Sequence, residues 1–214
     1  MTSMMKTAQC LSVTDAAAIP LAVMELRAGN LVIFPTDTVY GIGADAFSTA
    51  AINRLYTVKQ RAVDKGIPIL IADPDDLWQV VRHAPPFVSD LIAQFWPGAL
   101  TLILPKKTSL PPNLSPNDGV AVRMPDNDAA RALIRAAGGV IAASSANRSG
   151  QPPARTAAMA LADLGNLVTV VLDGGPSPQE QASTILDCTA DPPRLLRQGP
   201  ISLETILSAD VRRY

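Results

Sequence analysis

Six short polar clusters hold the side chains able to do chemistry in this chain. They are Thr36-Asp37-Thr38, Lys59-Gln60-Arg61, Arg123, Ser145-Ala146-Asn147, Ser183-Thr184 and Arg197-Gln198-Gly199. The cations Lys59, Arg61, Lys65, Arg123 and Arg197 suit a polyanion such as a nucleoside triphosphate, because guanidinium forks match phosphate and carboxylate oxygens. The Ser and Thr hydroxyls could fix a small polar substrate. Each cluster also has a plain structural reading. Lys59 and Arg61 could be solvated charges at a helix C-terminus, and Arg123 a surface ion pair. Ser145, Asn147 and Asp173-Gly174-Gly175 could be turn residues, and Asp187 structural.

Covalent catalysis finds little material. The single His, His83, has no acidic neighbour with which to build a Ser-His-Asp set. No Gly-x-x-x-x-Gly-Lys-Ser/Thr occurs, and Gly41-Ile42-Gly43 falls short of a dinucleotide fingerprint. The two cysteines, Cys10 and Cys188, match no metal-ligand spacing, so no resident metal is expected.

The clusters share one placement, at or just past the ends of predicted elements. Leu31–Phe34 reads as a buried strand running into the Thr36-Asp37-Thr38 turn and Gly41-Ile42-Gly43. Thr14-Asp15 can cap a helix to about Arg27, closed by Gly29-Asn30, and Ser48 or Thr49 caps a second helix that leads to Lys59. Ile67–Ala72 is a strand, which Pro68 marks as an edge or as irregular at its start. Asp73-Pro74-Asp75-Asp76 opens a short helix, and Pro85-Pro86 another that reaches about Phe95. Leu100–Leu104 and Gly119–Arg123 are strands separated by an irregular Pro- and Asn-rich loop. Asp126–Ala137 is a helix stopped by Gly138-Gly139, and Val140–Ala143 a strand that enters Ser144–Gly150. A helix from Thr156, strands at Leu167–Leu172, Ser183–Asp187 and Leu195-Leu196, and a helix capped by Ser202 complete the chain. This alternation predicts an α/β or α+β fold, a twisted mixed sheet with helices packed on it. Strand ends are where such sheets bind ligands.

With 214 residues, 48% of them hydrophobic, the chain can bury a sizeable core. One domain over residues 15–207 is expected, flanked by tails at 1–14 and 208–214. A formal net charge of −1 argues against binding nucleic acid by charge alone. No signal-peptide pattern and no run approaching ~18 apolar residues is present, which predicts a cytoplasmic protein with no membrane partner.

The motifs together resemble the YrdC-like family, the threonylcarbamoyl-AMP synthases. Pro35–Ala46 is similar to the family's opening motif, and Lys59-Gln60-Arg61 to its Lys-x-Arg. In family order follow Phe95–Leu102, Val120–Pro125, Ser145–Gly150, Leu172–Gly175, Ser183–Asp187 and Leu196–Gly199. The resemblance covers roughly Ala16 to Ile206. It implies the YrdC-like fold with a concave ligand cavity. It also implies synthesis of L-threonylcarbamoyl-AMP from L-threonine, bicarbonate and ATP with release of pyrophosphate, for the threonylcarbamoyl modification of adenosine 37 in tRNA. By family position Thr38, Arg123, Ala143 (through its backbone) and Ser183 would bind threonine. Arg61, Lys65, Ser145, Asn147 and Arg197 would bind ATP, and Lys59 and Arg61 would act in catalysis. Mg²⁺ is expected to accompany ATP, and tRNA-modification proteins to use the product.

The chain departs from the family pattern at Ala62, where Pro is frequent, at Leu70, where many members carry His, and at Gly119, where Thr is common. Ser144 replaces the usual Pro, and Gln198 stands in a Leu-Arg-Pro-Gly segment. These departures define an alternative reading, a divergent paralogue that binds RNA weakly, or nucleotide, without this turnover.

Overall fold

The computed structural model describes residues 8–178 and 181–208. Ten strands form one mixed sheet: β1 (Gln9–Ser12), β2 (Val32–Phe34), β3 (Gly41–Ala44), β4 (Ile69–Ile71), β5 (Leu100–Pro105), β6 (Gly119–Arg123), β7 (Val140–Ser145), β8 (Val170–Asp173), β9 (Thr184–Asp187) and β10 (Arg194–Arg197). Their order is β1-β8-β2-β3-β7-β4-β6-β5-β9-β10. Four neighbouring pairs are parallel (β1/β8, β2/β8, β4/β6, β5/β9) and the other five antiparallel. Seven helices pack on it: α1 (Ala18–Arg27), α2 (Thr49–Lys59), α3 (Leu77–Val80), α4 (Phe87–Phe95), α5 (Asp128–Ala137), α6 (Ala157–Leu164) and α7 (Leu203–Ser208).

Strand alternation sorts the core into two layers. On β2, Val32 and Phe34 face one layer while Ile33 faces the other; Leu70 and Ile69 divide in the same way on β4, as do Ile141 and Ala142 on β7. The smaller layer is closed by α1 and α5. Ala130, Leu133 and Ile134 form the buried stripe of α5, at the i, i+3, i+4 spacing of one helix face. They meet Ala18, Ala22, Val23 and Leu26 of α1. The larger layer runs under the whole sheet and includes Val122, Leu102 and Leu186 of β6, β5 and β9. Arg123 is in register with Leu70 and two strands from Ile185, through Thr101. Arg123, Thr101 and Ile185 therefore stand on the α1–α5 face but outside the cluster that those helices close, with Leu70 at its border. That helix-free end of the face becomes the cavity.

Most predicted elements form, with local differences that have physical causes. Residues 41–44, expected to be part of a turn, form β3 between β2 and β7. The strand is glycine-rich because the Phe34 ring lies against it: a Cβ at Gly41 would come within 3.1 Å of that ring, and one at Gly43 within 2.9 Å. Pro68 precedes β4, which is central rather than at an edge, between β7 and β6. Gln9–Ser12, expected to lie in a tail, form the edge strand β1 beside β8. Helix α1 starts at Ala18, because Asp15 Oδ1 accepts from the Ala17 N–H at 2.8 Å and closes a turn first. Ser48, Asn127 and Thr156 cap α2, α5 and α6 through their side chains. Residues 1–7 and 209–214 of the expected tails lie outside the described residues, and Ser208 ends α7.

Candidate active site

The helix-free face encloses a cavity of about 810 Å³. Its floor is read from the strand registers: Arg123, Ala121 and Gly119 on β6; Thr101, Ile103 and Pro105 on β5; Ser183, Ile185 and Asp187 on or just before β9. Thr38, Gly41, Arg61, Leu70, Ala143, Ser145 and Arg197 complete the charged and hydroxylated end. Five of the six polar clusters seen in the sequence thus meet the Arg123 cluster in one concave space.

Arg123 is the most constrained of these residues. Its guanidinium is 6% exposed and forms an ion pair with Asp37, itself 4% exposed. Nη1 donates to Thr38 Oγ1 at 2.9 Å, and Nε to the Gly98 carbonyl at 2.9 Å. Burial pulls the Arg123 pKa down while Asp37 opposes the fall. The turn that presents Thr38 is knotted by Thr36: its Oγ1 donates to the Val39 carbonyl at 2.6 Å and accepts from the Thr38 N–H at 3.2 Å. Thr38 Oγ1 already accepts from Arg123, so its own proton is free to turn to Thr36 Oγ1, 3.1 Å away, or to a ligand. The Trp96-Pro97-Gly98 turn supplies the remaining support. Trp96 Nε1 donates to the Leu100 carbonyl at 2.7 Å, and the Gly98 N–H donates to the Met124 carbonyl at 2.9 Å.

Ser183 is held from two sides. Its Oγ lies 2.7 Å from Thr101 Oγ1, and Arg197 donates from Nη2 to the same Oγ at 3.2 Å and from Nε to the Ser183 carbonyl at 2.9 Å. The return from β10 to this point requires Gly199, where a Cβ would come within 2.4 Å of the Thr184 amide nitrogen. Arg61, across the cavity, donates to the carbonyls of Lys65 and Gly66, both at 2.9 Å. Among the described residues neither Arg61 nor Arg197 has a carboxylate partner. Burial first, and then the Arg123 and Arg61 charges, press the Arg197 pKa down, which marks an electropositive space.

Ala143 lines the wall through its backbone. Its N–H donates to the Pro68 carbonyl at 2.8 Å, but Pro68 has no amide hydrogen to return, so the Ala143 carbonyl receives no ladder bond from that residue. A backbone acceptor is left at the cavity wall. Leu70, in register with Arg123, puts an aliphatic surface at the cavity wall, where the family resemblance implies a histidine.

Three sequence-predicted site residues do not line the cavity. Lys59 is 1% exposed, and its ammonium donates to the carbonyls of Ser145 and Asn147, the latter at 2.5 Å. Burial, and then the Arg61 charge, push its pKa down to about 8. In this structure Lys59 holds the strand end that presents Ser145. Asn147 turns inward, donating to the carbonyls of Arg148 at 2.8 Å and Gln151 at 2.6 Å. Lys65 has an exposed side chain and contributes its carbonyl to Arg61. Asp37 and Thr101 are more important than the sequence reading made them. Thr101 is the one polar residue in the apolar strand Leu100–Leu104, a signal that was available; Asp37 was read only as shaping the turn.

The family model described as telomere recombination, Sua5/YciO/YrdC, matches residues 24–199. A putative threonylcarbamoyl-AMP synthase of Mycobacterium tuberculosis is 45% identical over 186 residues, 86% of this chain and 85% of that protein. The threonylcarbamoyl-AMP synthase of Bacillus subtilis is 43% identical over 195 residues, 90% of this chain but 56% of that longer protein. The crystal structure of P. abyssi Sua5 complexed with L-threonine superposes with a TM-score of 0.87 at 39% identity, over 90% of this chain and 57% of that one. The motif order, the mixed sheet with its cavity, and these matches agree: the chain belongs to the Sua5/YciO/YrdC family.

Proposed function

We propose that this protein makes L-threonylcarbamoyl-AMP from L-threonine, bicarbonate and ATP, releasing pyrophosphate. The observation that carries this reading is the pairing, in one cavity, of a buried guanidinium held by Asp37 and Thr38 with two guanidiniums that lack carboxylate partners among the described residues. The names of the similar proteins support the same reaction, and threonine binding by P. abyssi Sua5 supports the substrate.

The chemistry suits this inventory. The threonine carboxylate pairs with Arg123, flanked by the hydroxyls of Thr38 and Ser183. The Ala143 carbonyl accepts from the amine and orients it; the nitrogen bonds to the bicarbonate carbon, a carbon–oxygen bond breaks, and the lost hydroxide leaves with an amine proton as water, giving the carbamate. The carbamate oxygen then attacks the α-phosphorus of ATP, and pyrophosphate leaves. Arg61 and Arg197 offset the charge on the phosphate chain, and Ser145 donates to it. No covalent nucleophile is required. Holding two reactants aligned can lower a barrier by up to ~7–11 kcal/mol, and fixed cations add stabilisation of the phosphoryl transition state.

Mg²⁺ fits this site as a companion of ATP. Among the described residues no group of three His, Cys, Asp or Glu is placed to hold an ion. Asp64, which lines the cavity, is a carboxylate that could hold a hard cation, with phosphate oxygens and waters supplying the remaining ligands. When bound, it would neutralise phosphate charge. Among the described residues no helix is long and apolar enough to cross a membrane. The proposed product would be consumed by tRNA-modification proteins, which makes the cytoplasm the expected place of work.

The test is direct. Protein incubated with ATP, Mg²⁺, bicarbonate and L-threonine should release pyrophosphate only when threonine is present. Folded protein that releases none would refute the reading.

A further inference from the structure

Beyond the charged end, the cavity floor changes character. Moving away from Arg123 and Thr101, it passes over Ala121, Ile103 and Ile185 and reaches Asp187, which is in register with Ile103. Asp187 ends β9, four residues beyond Ser183, which directly precedes that strand, roughly 13 Å at ~3.3 Å per residue. A threonyl carbamate anchored by its carboxylate at Arg123 and Ser183, followed by one phosphate, brings the next group of the nucleotide to this point.

Asp187 is built to receive it. Its Oδ1 is committed to the chain, accepting from the Thr189 N–H at 2.9 Å and from Thr189 Oγ1 at 2.6 Å. Its Oδ2 takes no hydrogen bond among the described residues, and the residue lines the cavity. The nearby Asp118 carboxylate differs, because Arg82 already holds it at 2.5 Å. Asp64 belongs to the opposite wall, on the loop beside Arg61. An ionised carboxylate accepts and does not donate. It therefore suits a diol and is unsuited to a phosphate.

We propose that Asp187 is a specificity-determining residue that accepts from the ribose hydroxyls of the nucleotide, with the sugar resting on the Ile103–Ile185 floor. This rests on the ATP-dependent reading above. It makes the cavity selective for ribonucleotides over deoxyribonucleotides at a position remote from the reacting atoms.

The test compares ATP, 2′-deoxy-ATP and 3′-deoxy-ATP by calorimetric titration of the full chain in Mg²⁺, alongside the pyrophosphate assay. The wild type should bind ATP roughly tenfold more tightly than at least one deoxy analogue, as expected for a hydrogen bond to a charged group. Asp187→Asn keeps an Oδ1 acceptor for the Thr189 turn but replaces the free oxygen with an amide. It should bring ATP and the deoxy analogues to within about twofold of each other. Equal binding of all three by the wild type, or unchanged discrimination in Asp187→Asn, overturns the proposal. Asp187→Ala, which can neither accept nor donate at this point, is titrated alongside and should show the same loss of discrimination; if one variant fails to fold, the other decides. Ribose selectivity without threonine-dependent pyrophosphate release would sink the synthase reading and leave this one standing. Pyrophosphate release without ribose selectivity would do the reverse.

Discussion

Arg123 and the pair Arg61/Arg197 carry the same group in opposite settings. Arg123 is buried and held at three points by Asp37, Thr38 and Gly98. Arg61 and Arg197 stand at the cavity rim and touch only carbonyls and the Ser183 hydroxyl. A buried guanidinium needs a counter-charge, and in return its position is fixed, which suits it to read one carboxylate. A rim guanidinium can remain without a counter-charge, so its field is available to an incoming polyanion. The difference divides the labour in the cavity: a paired anchor for the amino acid and uncompensated charge for the phosphates.

The sharpest way to break this contrast is to remove the counter-charge. Asp37→Ala leaves Arg123 buried and unpaired, which costs about 3–5 kcal/mol. Chemical denaturation should show that loss. Arg61→Ala, which uncovers no buried charge, should change stability by less than about 1 kcal/mol. Equal losses in the two variants would erase the distinction between anchor and rim.

Lys59 adds a third setting, a buried cation with carbonyls as its partners. Its pKa falls from the ordinary 10.5 to about 8 in the folded protein. Between about pH 8 and 10.5 the unfolded chain therefore binds more protons at this site than the folded one, so stability rises with pH across that window. Below it, the charged form carries the full desolvation cost, on the order of 3 kcal/mol. Lys59→Met removes the titration. The stability of the wild type relative to this variant should climb from pH 8 to 10.5, measured by denaturant unfolding at each pH. A flat difference would mean that Lys59 is solvated and free to reach a ligand.

That contrast also explains what the sequence made legible. Strand alternation and capping residues placed Arg123, Thr38 and Ser183 on strand ends, and the fold followed because apolar period and turn chemistry agree along most of the chain. β3 escaped because its strand character comes from Phe34 packing on glycines, a tertiary cause with no local signal. β1 escaped because Gln9–Ser12 is largely exposed and gains its place from pairing with β8. Lys59, expected to act in catalysis, turns its ammonium to carbonyls behind the cavity wall, which the sequence could not reveal for a related reason. Spacing locates a residue on a helix end, but the direction of a long side chain depends on carbonyls 86 residues away. Asp37 shows the same limit, since its partner lies 86 residues along the chain.

A smaller effect sharpens the comparison at the rim. Arg61→Ala should weaken ATP binding by about 10- to 150-fold, the range for losing a charged hydrogen bond, and leave threonine binding within twofold. Arg197→Ala should weaken both ligands, because Arg197 also braces Ser183 at Oγ and at the carbonyl. Calorimetric titration of each variant with each ligand separates the two. If Arg197→Ala left threonine binding untouched, its contact with Ser183 would be incidental.

The smallest expected effect tests how far the anchor extends. Thr101 contributes one hydroxyl, 2.7 Å from Ser183 Oγ, and is 3% exposed. Thr101→Val keeps the shape and the β-branched preference of the strand but removes that bond, for about 1 kcal/mol. Ser183 Oγ would still receive Arg197 Nη2, yet nothing on its other side would fix the hydroxyl rotor. Threonine affinity should fall about fivefold with ATP affinity unchanged, and Ser183→Ala should make the Thr101 substitution nearly silent. Additive losses in the double variant would instead show that Thr101 touches the ligand itself, and the anchor would then be a three-hydroxyl cradle around Arg123 rather than a pair.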